Sequence, residues 1–154
     1  MRQLTTDSVL RLTCIALERT CFTVAESSDG NAALNLPVAT RFASIAYRGP
    51  EDGRVVLAAS EGFVRNLAAS LIGTDPTSID VGTTGDDALR EFANIMAGSI
   101  VREVGGGQSS FLIGLPSTCD SSAPLSTCSI IATVNVEGER LEVHWIQGQD
   151  ALAA

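Results

Sequence analysis

The chemically most distinctive residues of the sequence are a carboxylate and an amide, Glu91 and Asn94, which stand three positions apart. A spacing of three or four residues places two side chains on one face of an α-helix. A carboxylate can form charge-assisted hydrogen bonds to a partner, and a primary amide can both donate to a water and accept from it without ionising. The pair is therefore suited to positioning a water molecule and a partner group rather than to removing a proton.

The pair belongs to a longer polar stripe on one predicted helix. Asp87, Glu91, Asn94, Gly98 and Arg102 follow one another at intervals of four, three, four and four residues, and the apolar residues of the segment form the opposite arc. A Gly in a helix interior costs about 1 kcal/mol relative to Ala, and Asn has only middling propensity. Helix stability alone thus does not explain the stripe, although an ordinary solvated helix face is the alternative interpretation.

Other residue types with catalytic or metal-binding chemistry are sparse. The single histidine, His144, has no cysteine or carboxylate at ligand spacing and is predicted to be structural. Cys14 and Cys21 lie seven residues apart in a predicted helix, about 10 Å along its axis, which is too far for a disulfide. All ten basic residues are Arg, which excludes chemistry that depends on a lysine. We therefore expect buried, reduced thiols and no metal site.

The net charge of −8 bears on partners and location. A field of this sign repels phosphate backbones and anionic lipid headgroups, so nucleic acid and membrane surfaces are not expected as partners. Charged residues interrupt the first 22 positions, and no apolar run reaches the length of a membrane span. The expected location is the cytoplasm.

The elements that must position the polar stripe follow from hydrophobic periodicity and from turn residues. The third predicted helix begins at a capping box over residues 84–87 and stops at three consecutive glycines, 105–107. The expected fold class is α+β with two layers, a mainly antiparallel sheet covered by helices, in a single domain over 1–154. The predicted helices are Thr6–Cys21, Glu61–Ile72 and Asp87–Val104; the predicted strands are 40–48, 55–58, 111–115, 129–136 and 141–146; irregular segments are predicted over 27–37 and 117–127.

The stripe helix resembles the signature of the CheX, CheC and FliY chemotaxis phosphatases. The similar segment reads Glu-Phe-Ala-Asn-Ile-Met-Ala-Gly from Glu91 to Gly98, preceded by Asp87 and followed by Gly-Leu-Pro ending at Pro116. The order of the predicted elements is also similar, over roughly residues 4 to 148. The resemblance implies a CheC/CheX-like fold and a CheX-like single-domain member of the family.

The resemblance also implies a function. It predicts a phosphatase that hydrolyses the aspartyl phosphate of a response-regulator receiver domain of the CheY kind, with Asn94 holding the attacking water and Glu91 contacting the lysine of the receiver. Asp87, Gly98, Arg102 and Pro116 are the implied partner-binding residues. No cofactor of its own is implied, because Mg²⁺ would come with the receiver.

Some of these implications leave alternatives open. Two-site members carry the pair on two helices, whereas the first helix here has Glu18 followed by Cys21 where an Asn would stand, which predicts one site per chain. Single-site members imply a homodimer paired through sheet edges, for which the terminal strands are candidates. The alternative functions are a non-catalytic partner-binding or scaffold module of the same fold, in a two-component or flagellar pathway, and a ligand-binding sensor with a closed apolar pocket.

Overall fold

The computed structural model describes residues 3–21, 23–28, 30–108, 110–119 and 130–148. The helices come before the last four strands, which follow one another along the chain, and a 3₁₀ turn (Pro76–Ser78) and a π-helical turn (Val81–Gly85) precede the last helix. The helices are α1 (Thr6–Cys21), α2 (Gly30–Leu34), α3 (Glu61–Ile72) and α4 (Asp86–Gly105); the strands are β1 (Glu26–Ser27), β2 (Arg41–Arg48), β3 (Gly53–Ala59), β4 (Leu112–Ile113), β5 (Ser117–Cys119), β6 (Ile130–Val136) and β7 (Glu139–Gln147).

One antiparallel sheet contains the strands of the described residues, in the order β1-β6-β7-β3-β2-β4, with β5 also paired to β2. The two predicted hairpins are present as β2–β3 and β6–β7. The second turns on Glu137 and Gly138, whose φ angles of 53° and 85° fit a tight hairpin turn. Of the two predicted terminal strands, β7 lies inside the sheet, and β1 pairs with Val134 and Asn135 of β6, so β6 can offer an edge to the predicted dimer only outside its pairing with β1.

The core lies between one face of the sheet and the helices α1, α3 and α4. Alternate residues of each strand, such as Val55 and Leu57 of β3, point into it, as the period of two requires. The buried arc of α4 fills the centre, and the rings of Phe63 and Phe92 meet edge to face at 6.3 Å. The α+β class and the antiparallel sheet covered by helices are thus confirmed. The residues of α4 in this core are Ala88, Leu89, Phe92, Ala93, Met96, Ala97, Ile100 and Val104.

The predicted capping box at the start of α4 is wrong. Gly85, the residue before the helix, has right-handed helical angles, and no side chain caps the first turn. The π-helical turn that precedes α4 supplies the acceptors instead, because the Asp86 amide donates to the Val81 and Thr83 carbonyls. Backbone carbonyls therefore satisfy a group that capping side chains usually serve. The predicted end is correct, since α4 stops at Gly105 and Gly106 has a φ of 62°.

Two segments predicted to be irregular contain short elements. Gly30–Leu34 is a single helical turn, and Ser117–Cys119 is a strand paired with Phe42–Ser44 of β2. The predicted strand 111–115 is shortened to Leu112–Ile113. Pairing with a long neighbouring strand overrides the weak local propensity of a Ser-Thr-Cys segment. The rest of the predicted loop, 120–127, lies outside the described residues.

The sheet face opposite the core carries a charged cluster on β7. The Nε2 atom of His144 lies 3.0 Å from the Glu142 carboxylate, and Arg140 lies 3.3 Å from the same carboxylate. His144 is 3% exposed, which agrees with the predicted structural role. The hydrogen bond from His144, and then the nearby positive charges, hold the pKa of Glu142 below its ordinary value of 4.5 although burial opposes them.

This cluster predicts acid-sensitive stability. A carboxyl whose pKa is lowered in the folded state stabilises it above the unfolded pKa, and this contribution disappears as the pH falls through the lowered folded value. We expect the free energy of unfolding of the wild type to fall more steeply than that of Glu142→Gln as the pH drops below 4.5. Urea unfolding from pH 7 to pH 3 measures it, with Glu137→Gln in the exposed hairpin turn as the control. Parallel curves for all three proteins would contradict the prediction.

Within the described residues, no helix combines the length and the apolar character needed to cross a membrane.

Candidate functional site

Helix α4 is held firmly at both ends. The Arg41 guanidinium of β2 donates to the Asp86 carboxylate at 3.1 Å, and Arg11 of α1 donates to the Glu103 carboxylate at 3.0 Å. Between these ends the apolar arc is fully buried against the sheet. The opposite face of α4 is therefore presented on a rigid support, as a site that must position groups requires.

The polar stripe lies on that outer face. Asp87, Glu91, Asn94 and Arg102 are exposed and Gly98 is half-buried. Asp87 forms an ion pair with Arg90, one turn further along the helix. In the described part of the chain, neither Glu91 nor Asn94 uses its side chain in a hydrogen bond or ion pair. The carboxylate and the amide are therefore available to another molecule, about one helical turn apart.

Gly98 has no packing reason to be a glycine. A Cβ atom built on it meets no heavy atom within 4 Å among the described residues, and its φ angle is not positive. An Ala at this position would fit and would stabilise the helix by about 1 kcal/mol. The missing side chain leaves the backbone of α4 open to close approach from outside, one turn beyond Asn94.

A groove beside the stripe is formed by α4 and α1. The groove has a volume of ≈ 440 Å³. The hydrogen bond between Arg11 of α1 and Glu103 of α4 lies at one end of it and shows how the two helices are aligned. From that contact the lining continues toward higher residue numbers on α1 and toward lower numbers on α4, so the two helices are antiparallel. Arg19 lies eight residues beyond Arg11, about 12 Å along α1, which places it level with residues 94–95 of α4. Its lining residues are Leu12, Ile15, Ala16, Arg19, Thr20, Asn94, Ile95, Gly98, Ser99, Arg102 and Glu103.

The groove adds Arg19 to the candidate site, and sequence reasoning missed this residue. Arg19 is 75 positions from Asn94 in the chain, so only the packing of α1 on α4 brings the two to the same groove. A signal was present in the sequence, because Arg19 is a charged residue near the end of a predicted amphipathic helix. The spacing of residues within α1 alone does not indicate which neighbouring helix Arg19 would face.

Pro116 lies outside helix α4, which carries the stripe. It stands between β4 and β5, which both pair with β2 at one edge of the sheet. The neighbouring Thr118 accepts a hydrogen bond of 3.2 Å from Arg90 of α4, so this edge strand touches the flank of the helix. Leu115, immediately before the proline, is 91% exposed. Pro116 therefore lies at the sheet edge beside α4, and its part in partner binding stays a prediction.

The first helix does not reproduce the pair. Glu18 is exposed, but Cys21, at the position where an Asn would be needed, is half-buried. Burial raises the pKa of the Cys21 thiol to about 11, which keeps it protonated at neutral pH. A protonated, half-buried thiol cannot replace an exposed amide in orienting a water. Within the described residues the pair is therefore present on α4 and not on α1.

The sequence itself identifies the family. The family model described as "Chemotaxis phosphatase CheX" matches residues 41–136, which is more than half of the chain. The chain belongs to the CheX family of chemotaxis phosphatases. No curated protein sequence matches it.

Solved structures share the fold at low sequence identity. A CheX–CheY–BeF₃–Mg²⁺ complex from Borrelia burgdorferi matches with a TM-score of 0.72 at 14% identity, over 96% of this chain and 100% of that one. The chemotaxis protein CheX from Vibrio vulnificus matches with a TM-score of 0.70 at 12% identity, over 92% and 94%. The middle domain of FliM from Vibrio alginolyticus matches with a TM-score of 0.57 at 14% identity, over 96% and 92%. These likenesses establish the fold.

Proposed function

We propose that this protein hydrolyses the aspartyl phosphate of a response-regulator receiver domain. The observation that carries the proposal is that Glu91 and Asn94 project side by side from α4, exposed and unengaged within the described residues. The CheX family of phosphatases and the Borrelia burgdorferi complex of a CheX with a CheY support this choice of substrate.

The chemistry requires positioning more than covalent assistance. In phosphoryl transfer through a loose transition state, the enzyme contributes mainly by aligning the nucleophile and by neutralising charge. The Asn94 amide would hold a water in line with the phosphorus, so that a new P–O bond forms while the P–O bond to the aspartate carboxylate breaks. Inorganic phosphate and the free carboxylate are the products. The amide remains neutral throughout, and both protons of the attacking water leave with the inorganic phosphate.

Glu91 would fix the docking geometry. Its carboxylate, one turn before Asn94, can accept a charge-assisted hydrogen bond from a lysine of the receiver. Mg²⁺ would enter as part of the phosphorylated receiver, together with the phosphoryl group that it neutralises. This division of labour makes the receiver contribute the metal and the leaving group, whereas α4 contributes the alignment of the water.

The proposal is tested directly by incubating the purified protein with a panel of phosphorylated receiver domains in the presence of Mg²⁺. Phosphate release above the rate of each receiver alone is the expected result for at least one of them. The Asn94→Ala variant serves as the matched protein control. Receivers that all lose phosphate at their own rates with the wild type present would overturn the proposal.

Removing the Glu91 carboxylate gives a separate prediction for docking. Hydrogen bonds to charged groups contribute about 1.5–3 kcal/mol, so we expect Glu91→Gln to weaken binding to the receiver by at least about tenfold. Binding to a receiver loaded with beryllofluoride and Mg²⁺ measures this, and Glu137→Gln, which removes an exposed carboxylate in the β6–β7 turn, is the control. Equal affinities for the wild type and Glu91→Gln would exclude the docking role.

The likeness to the middle domain of FliM favours a second candidate function. A module of this fold could use the same outer face of α4 to bind a partner without hydrolysing anything. The two candidates differ in one measurement, because a binding module would hold a phosphorylated receiver and leave its phosphate lifetime unchanged. The phosphate-release experiment therefore separates them.

A further inference from the structure

The groove between α1 and α4 is continuous with the proposed catalytic face. Asn94 and Gly98 of the stripe also line the groove, so a partner that reaches Asn94 must cover one end of it. The lining combines the half-buried apolar residues Leu12, Ile15 and Ile95 with charged residues of both helices. Such a groove suits a short segment of chain with an apolar side and a charged side.

The charges of the groove are unusual for this protein. The chain as a whole carries −8, yet the groove presents Arg19 on one wall and Arg102 on the other. In the residues described, neither guanidinium forms an ion pair or a hydrogen bond, and both are exposed. The one carboxylate of the lining, Glu103, is neutralised by Arg11. The groove is therefore a locally positive surface on an acidic molecule.

We propose that this groove binds an acidic segment of the receiver domain, next to its phosphorylation site, with Arg19 and Arg102 contacting the carboxylates of that segment. This inference rests on the proposed function and adds the part of the partner that is recognised. Opposite charges across an interface accelerate association and exclude partners with the wrong charge. The groove would thus select among receivers, while Asn94 acts on the phosphate of the receiver that is bound.

The test uses the full chain and a receiver that the wild type dephosphorylates, loaded with beryllofluoride and Mg²⁺ for binding and phosphorylated for single-turnover hydrolysis. We expect Arg19→Glu combined with Arg102→Glu to raise the Kd at least about tenfold and to reverse its salt dependence, with an unchanged rate at saturation. Lys at both positions should restore much of the affinity. Because both arginines are exposed, the double variant should unfold on heating at a temperature close to that of the wild type.

A matched control separates a local contact from the overall charge. Arg48→Glu makes the same change of charge on an exposed arginine of β2, whose alternation with buried Tyr47 places it on the sheet face away from the groove. Its Kd should stay close to that of the wild type. Equal effects of groove and control variants, or a lost rate at saturation with an unchanged Kd, would overturn the inference while the proposed function stands. A wild type that dephosphorylates no receiver would instead overturn both.

Discussion

Asn94→Ala should abolish the stimulated loss of phosphate from a cognate receiver while leaving the fold intact. Removing one preorganised hydrogen-bonding group that acts in a transition state costs about 10²–10³ in rate. The residue is exposed, makes no side-chain contact by hydrogen bond within the described residues, and is replaced by a better helix former. Single-turnover hydrolysis at saturating enzyme and thermal unfolding of the same preparation measure the two halves of this prediction.

Asn94→Asp sharpens the test. Asp has nearly the shape of Asn but presents only acceptors and a negative charge when ionised, so it should both misorient the water and repel the phosphoryl group. Receiver binding should survive in Asn94→Ala more fully than in Asn94→Asp. If Asn94→Ala retains the wild-type rate, the amide does not position the nucleophile, and the mechanism is wrong even if hydrolysis is real.

Much of the fold could be predicted because local signals and tertiary packing agree. The helices Thr6–Cys21 and Glu61–Ile72 have the predicted boundaries, since amphipathic periodicity defines each of them and Gly73, with a φ of 72°, ends the second. The exposure of Glu91 and Asn94 could also be predicted. The apolar arc of α4 must face the sheet, and this turns the opposite face of the helix, with both residues, toward solvent. Periodicity contains this information wherever an element has one buried face.

The sequence predictions are wrong where the structure of a segment depends on which distant segment packs against it. Ser117–Cys119 became a strand because β2 offers an edge, and the start of α4 is supported by carbonyls of a π-helical turn rather than by a capping side chain. Arg19 joined the site through helix packing across 75 positions of sequence. None of these arrangements has a local pattern, since each depends on which distant backbone or helix lies alongside.

Gly98→Leu should make the protein more stable but weaken its binding to the receiver. A glycine in a helix interior costs about 1 kcal/mol, and a Cβ here meets nothing within 4 Å, so Gly98→Ala should raise the free energy of unfolding. Gly98→Leu should raise it as well, because the helix propensity of Leu is close to that of Ala. A leucine, however, would stand in the path of a receiver approaching Asn94 one turn away. We expect its binding to a beryllofluoride-loaded receiver to fall below detection, with a smaller loss in Gly98→Ala.

The comparison needs an exposed position close to the end of the same helix that lies off the predicted contact. Glu103→Leu is unsuitable because Glu103 is paired with Arg11, whereas Gly106→Ala would strain a residue with a φ of 62°. Gln108→Leu, on an exposed residue beyond the helix end, adds the same side chain without blocking Asn94. A more stable Gly98→Leu protein that binds and hydrolyses like the wild type would show that no partner approaches α4 closely, and would move the site elsewhere.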